Sequence, residues 1–289
     1  MNAKKHATHA EKTAIILMGG GMRSAHGAGF LYTLATELGI TTPDIMIGGS
    51  GDAGNVAYFA AGQYASLRHI WCDLLSTSRF ISLLRPWRVM NVDYVIDTVF
   101  KKLDPLDTEA LQQSPIDWHL SLTDYANGAA HYIGKDDNVD LFETLRASKA
   151  IPLLYGKKVP IEGRLYFDGE VGRTLAEHAH KAKQLGASRI VVINHGGHSL
   201  VEETVLQAFG GFVSPGLQHA ITKQVTNHTT CVYIPGAQVY CVAPKNLPAG
   251  VATRNKQQLR ATFARGVADA RAMKEDLREL FLKHEPGRA

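Results

Sequence analysis

Twice within its first 62 residues the chain repeats one pattern: a short apolar run stops on glycines and gives way to helical periodicity. The first run, residues 13–18, ends at Gly19-Gly20-Gly21. A helical stretch of about residues 25–37 follows, with Phe30, Leu31 and Leu34 on one face and Gly39 as its stop. The second run, residues 45–48, leads into Gly49-Ser50-Gly51 and then through Ala53, Val56, Ala57, Ala60 and Ala61 to Gly62. Strand, glycine turn and helix in tandem is the rhythm of an α/β protein with a parallel sheet. In such sheets ligands sit at the carboxyl ends of the strands, where both glycine turns fall. Further strands are expected at residues 119–123, 130–133, 190–194 and 238–242, and one long helix at 256–283. No repeat or linker interrupts the chain, so the expectation is a single domain over residues 13–283 behind a polar tail of residues 1–12.

Composition narrows the function classes. Of 289 residues, 45% are hydrophobic and 20% charged, enough for a core and too apolar for disorder. The net charge of +4 is accounted for by the stretch from Arg254 onward, so nothing argues for a nucleic-acid partner. The apolar run that begins the first strand is too short for a signal-peptide core or a membrane span. Cys72, Cys231 and Cys241 are too few and too scattered for a disulfide scaffold or a zinc site. Both readings lead to the expectation of a cytoplasmic protein in a reducing compartment, able to touch a membrane only from outside.

The glycine turns carry the chemistry. Gly19-Gly20-Gly21-Met22-Arg23 leaves backbone N–H groups free to point at a ligand, just before a helix N-terminus that favours negative charge. The third glycine of a dinucleotide fingerprint would fall at Ser24, and no Gly-Lys-Ser/Thr follows, so dinucleotide and phosphate-loop readings are weak. An oxyanion hole needs the same donors. In Gly48-Gly49-Ser50-Gly51-Asp52, a serine on a strand-to-helix elbow would lift its hydroxyl above the sheet as a nucleophile. Serving as a helix N-cap is the commoner use of such a serine. Asp168, between Phe167 and Gly169, reads on its own as a turn residue.

Taken as a set, these residues resemble the patatin-like phospholipases, specifically their bacterial branch. The resemblance rests on the Gly-Gly-Gly-X-Arg loop and on the elbow with its trailing Asn55, Tyr58, Gly62 and Gln63. It continues through Asp104-Pro105-Leu106-Asp107, Ala147-Ser148-Lys149-Ala150-Ile151-Pro152 and Phe167-Asp168-Gly169. It implies a three-layer α/β/α fold with a mainly parallel sheet, and hydrolysis of acyl ester bonds in phospholipids or other lipids without metal or cofactor. It further implies Ser50 as nucleophile, Asp168 as its base with no catalytic histidine, and the amides of Gly20, Gly21 and Met22 as the oxyanion hole. Arg23 would steady that loop or attract an anionic headgroup. A carboxylate at its ordinary pKa of about 3.9 is a poor base for serine, so Asp168 should be partly desolvated.

Three positions depart from the family pattern. Asp52 stands where the elbow usually has its last glycine, Glu170 where glycine or alanine follows Asp-Gly, and Ser24 where glycine is common. Asp52 suits the first turn of a helix, yet its methylene and charge must be placed near Ser50. It therefore keeps open an alternative reading: a catalytically weak lipid-binding or regulatory protein on the same scaffold.

Residues 79–106 interleave Phe80, Ile81, Leu83, Leu84, Trp87, Val89 and Met90 with Arg79, Arg85 and Arg88. Basic residues beside large apolar ones suit an anionic interface, whereas a connection packed on the core is the other reading. Among the histidines, His178 and His180 point away from each other on a helix, and His195 and His198 flank Gly196-Gly197 at a strand end without an evident third metal ligand. Asp124 is expected to be structural.

Overall fold

The first strand, β1 (Lys12–Met18), buries every residue from Thr13 to Leu17, because it lies inside the sheet with parallel neighbours on both sides. The computed structural model describes residues 11–85, 88–152, 154–171, 173–195, 215–226 and 229–282. Its eight strands are β1, β2 (Ile45–Gly48), β3 (Asp117–Asp124), β4 (Ala130–Gly134), β5 (Val159–Ile161), β6 (Arg164–Asp168), β7 (Ala187–Asn194) and β8 (Gln238–Val242). The order across the sheet is β5-β6-β3-β2-β1-β7-β8, with β4 also paired to β3. The pairs β1–β2, β1–β7, β2–β3 and β7–β8 are parallel, whereas β3–β4, β3–β6 and β5–β6 are antiparallel.

The period-2 alternation of β1 splits the core into two layers. Ile15 and Leu17 pack with α1 (Ala25–Thr36), α2 (Gly51–Ala60) and the C-terminal helices, whereas Ala14 and Ile16 pack with Leu175, Ala179 and Ala182 on the opposite face. Those last three lie on a later helix, Leu175–Gln184, which opens with a capping box between Thr174 and Glu177. Helices on both faces of a mostly parallel sheet make the expected three layers.

Between α2 and that helix come α3 (Tyr64–His69), α4 (Thr108–Gln113) and α5 (Leu141–Ser148), so Leu175–Gln184 is α6. Pro215–Thr226 is α7. Two π-helical stretches, Ile70–Leu74 and Tyr94–Leu103, turn a largely apolar side inward. No described helix is long and apolar enough to cross a membrane.

Two details differ from the sequence reading. The tail is two helices, α8 (Lys256–Ala272) and α9 (Lys274–Leu282), because the chain leaves helical geometry at Met273. The cysteines are not all bystanders: Cys231 and Cys241 form a disulfide, brought together by the turn that precedes β8, while Cys72 is free and buried. Cysteine usage therefore gives no support to a reducing compartment.

α8 crosses α1 at unusually close range. A Cβ on Gly29 would lie 2.1 Å from the Phe263 carbonyl, and one on Gly266 would lie 2.0 Å from that of His26. Neither neighbour is a flexible side-chain end, so the two helices would have to separate. Gly266→Ala is expected to cost about 1–3 kcal/mol, as overpacking typically does, and to lower Tm by several degrees in thermal unfolding followed by circular dichroism. An unchanged Tm would remove this crossing from the packing constraints.

Candidate active site

Ser50 sits at the end of β2 with φ 52° and ψ −127°, a conformation that costs a non-glycine residue roughly 1–3 kcal/mol and is found where structure enforces it. It occupies the N-cap position of α2, yet its side chain makes no capping hydrogen bond. The commoner use of such a serine is thus not the one this chain makes of it. Space for the turn comes from its glycines. A Cβ on Gly48 would lie 2.7 Å from the Val56 side chain, and one on Gly51 would lie 2.4 Å from Ser24 Oγ.

Asp168, at the end of β6, is buried beside Ser50. Its Oδ1 accepts the Glu170 backbone N–H at 2.9 Å, and its Oδ2 is buried without a hydrogen-bond partner. Burial pushes its carboxyl up to about 7, and the Glu170 charge adds to the rise. The Glu170 amide, the Ser50 hydroxyl and the Lys149 ammonium work against it. The hydroxyl is near enough to act on the carboxyl, and no aligned hydrogen bond joins the two.

One short segment joins the two residues. The Ser50 N–H donates to Ser148 Oγ at 3.2 Å, the Asp168 N–H to the Ala150 carbonyl at 3.1 Å, and the Gly169 N–H to the Ser148 carbonyl at 3.2 Å. Between them, Lys149 Nζ donates to the carbonyls of Ser50 at 2.5 Å and Gly51 at 3.1 Å. Arg146 anchors the approach to this strap through Asp93, Asp97 and Glu143. Ser148 and Lys149 carry no role in the sequence reading. Their motif was visible, but the side-chain partners lie about a hundred residues away.

In the glycine loop, the amides of Gly20 and Gly21 have no hydrogen-bond partner among the described residues. The Met22 amide donates to the Val251 carbonyl at 2.9 Å, which corrects its expected place among the oxyanion donors: a loop packed against the turn before α8 has already taken it. Arg23 Nε makes a long 3.5 Å contact with the Gly20 carbonyl, on the loop-steadying side of its two readings.

The Asp52 carboxylate is fully buried, accepting from Asn55 Nδ2 at 2.7 Å and from His195 Nε2 at 2.7 Å. Gly27 of α1 makes the room, since a Cβ there would lie 2.4 Å from Asp52 Oδ1. The His195 ring packs edge-on against His26, 5.4 Å between centroids, and His26 Nε2 pairs with Asp269 of α8 at 2.9 Å. Asn55 in turn accepts from Trp71 Nε1 and donates to the Ser24 carbonyl. Burial, with His195 next in effect, pushes His26 down to about 4. The departure at Asp52 and the strand-end His195 thus belong to one network.

Glu170 has partners too, with Ser121 Oγ 3.1 Å and His178 Nε2 3.3 Å from its Oε1. His178 Nδ1 meets Tyr132 Oη at 3.0 Å. Asp124 receives the amides of Ala126 and Asn127 in a turn. The Asp104–Asp107 motif closes the end of α2, with Tyr58 Oη donating to the Asp104 carbonyl and Gln63 to that of Pro105. His198 lies outside the described residues, and no described group of three or more His, Cys, Asp or Glu side chains is arranged to hold a metal ion.

An apolar cavity of about 50 Å³ opens beside Ser50 and is walled by Tyr58, Trp71, Phe80, Met90 and Phe100, with Lys149 contributing a polar group. That is a few times the ~10–15 Å³ that one water needs by the same measure, so a longer chain would have to part its wall. Within residues 79–106, Phe80, Ile81 and Met90 are buried rather than lipid-facing, and Phe80 and Met90 belong to this wall. Arg85 binds the carbonyls of Ser78, Arg79 and Phe80, and Arg88 pairs with Asp93. Leu83 and Leu84, 81% and 93% exposed, are the most exposed large apolar side chains of the segment among the described residues. Trp87 lies outside the described residues.

VipD from Legionella pneumophila aligns over 92% of this chain and 67% of its own, with a TM-score of 0.52 and 11% identity. Human GIVD cytosolic phospholipase A2, crystallised with methyl gamma-linolenyl fluorophosphonate, aligns over 94% of this chain and 59% of its own, with a TM-score of 0.41 and 12% identity. The first likeness is one of fold. No curated protein matches the sequence significantly. The family model described as Patatin-like phospholipase matches residues 15–179, more than half of the sequence, and the chain therefore belongs to the patatin-like phospholipase family.

Proposed function

We propose that the chain is a serine lipid acyl hydrolase that cleaves acyl esters of phospholipids or related lipids through Ser50 and Asp168. The observation that carries this reading is the pairing of a strained, non-capping Ser50 with a buried, half-satisfied Asp168 at the mouth of an apolar cavity. Family membership places the substrate among lipid acyl esters.

In this scheme Asp168 Oδ2 takes the Ser50 hydroxyl proton as Oγ attacks the acyl carbonyl. The Gly20 and Gly21 amides receive the developing oxyanion, each such donor typically being worth about 10²–10³ in rate. Collapse of the tetrahedral intermediate breaks the ester C–O bond, and Asp168 returns the proton to the leaving alcohol. A water, deprotonated by Asp168, then attacks the acyl-serine, and its collapse frees the fatty acid and restores Ser50–OH. The scheme needs no cofactor. Burial of Asp168 brings its basicity close to working pH, which is what a general base requires. The ground for the inactive alternative was a charge left unplaced beside the nucleophile; the pairing of Asp52 with His195 and Asn55 supports the active reading.

A fluorophosphonate probe should label the wild type, and Ser50→Ala should abolish labelling and lower kcat by about 10³-fold or more. A wild type that resists labelling at every pH tested overturns the proposal. Since Asp168 accepts protons only when ionised, kcat/KM for a soluble ester should rise with pH through about 7. A profile already flat from pH 5 upward would mean that Asp168 is not the base.

We also propose that the Leu83–Leu84 tip enters the membrane interface, beside exposed Arg79. Leu83→Ser with Leu84→Ser should weaken binding to anionic vesicles at least about tenfold and leave hydrolysis of a soluble short-chain ester unchanged. Equal loss of both would place the two leucines in the fold instead.

A further inference from the structure

We propose that Lys149 is the positioning residue of this site: its ammonium holds the Ser50 elbow by the backbone and supplies the positive charge that keeps Asp168 ionised as the base. The inference rests on the reading of Ser50 and Asp168 given above and names a residue through which that reading is regulated.

The geometry is specific. Lys149 is buried, and two of its three N–H donors are spent on the carbonyls of Ser50 and Gly51. Those carbonyls belong to the residue with the strained backbone and to the first residue of α2. An ammonium is a costly device for capping two carbonyls in a buried site, because its own desolvation must be offset. A hydroxyl or amide would satisfy the same acceptors without that penalty. What only a cation adds is charge.

The charged groups that face Lys149 are Asp52 of α2 and Asp168 of β6, and on its remaining side the Phe100 ring centroid lies 5.9 Å away. Asp52 is already hydrogen-bonded to His195 and Asn55. Asp168 is faced by Glu170, a like charge that opposes its ionisation, and Glu170 is paired with His178. Among the described residues, Lys149 is the cation whose charge acts on Asp168. Burial lowers the Lys149 ammonium to about 8, with Asp52 and Asp168 opposing that fall, while Asp168 is raised to about 7. The Lys149 charge therefore draws the ionisation of Asp168 to lower pH than its burial beside Glu170 alone would set.

The test is the pH dependence of fluorophosphonate labelling in the full chain, read for wild type, Lys149→Met and Lys149→Arg, with thermal unfolding of each variant alongside. Wild type should rise through about pH 7. Lys149→Met should move that limb to higher pH and cut labelling at pH 7 by about fivefold or more, the scale of losing a neighbouring opposite charge. Lys149→Arg, which stays charged at every pH used, should keep the limb where the wild type has it. Should Lys149→Met fail to fold, Lys149→Gln, which keeps N–H donors for the carbonyls without the charge, should show the same shift. A rising limb unmoved in the uncharged variant, or moved as far in Lys149→Arg, overturns the role of Lys149 alone. Absence of labelling in wild type removes the Ser50–Asp168 reading and this inference with it.

Discussion

Ser50 holds a backbone conformation that an L-residue does not adopt unaided, and much of the surrounding structure serves to keep it there. The β2–α2 turn is closed by glycines that let strand and helix approach. The Ser50 amide is taken by Ser148 and its carbonyl by Lys149. With both backbone groups fixed, and the side chain released from capping, the hydroxyl is left for chemistry. The same three-residue strap takes the Asp168 amide at its other end, so nucleophile and base share one backbone reference. Their relation is therefore set by short-range contacts even though 118 sequence positions separate them.

Below the elbow, a run of buried polar side chains is linked partner to partner. The run from Trp71 through Asn55, Asp52 and His195 reaches His26 by ring contact and ends at Asp269 of α8. Charges so placed are tolerable only when each has partners, since removing one leaves its neighbour buried and unpaired at a cost of about 3–5 kcal/mol. This network ties α2 to the C-terminal helices, which pack tightly on α1 through Gly29 and Gly266. The carboxylate at position 52 is accommodated by glycine at 27 together with histidine at 195. On the other sheet face Glu170 is accommodated in the same way by Ser121 and His178.

How much of this could be read in the chain depended on range. The two strand–glycine–helix units stood out because their signals are local: apolar period, glycine stop and helical period. β2 and β8 coincide with the expected bounds, and β1, β3, β4 and β7 differ from theirs by a few residues at most. The break at Met273 was not legible, because the apolar face of α8 continues in phase into α9 through Leu277 and Leu280. The pairing of Cys231 with Cys241 depends on a turn whose closure spacing alone does not reveal.

What the sequence determined by itself was the order of elements and the residue types set at the strand ends: free-amide glycines, a serine on a turn and an aspartate before a glycine. These follow from local sterics and periodicity, which act within a few residues. Only the tertiary structure decided where Asp52 points, that Met22 gives its amide to Val251, and that Lys149 stands beneath the elbow. Each of those depends on which distant group fills a buried polar atom's last hydrogen-bonding position. A sequence lists the groups in need of partners, and the packed fold pairs them.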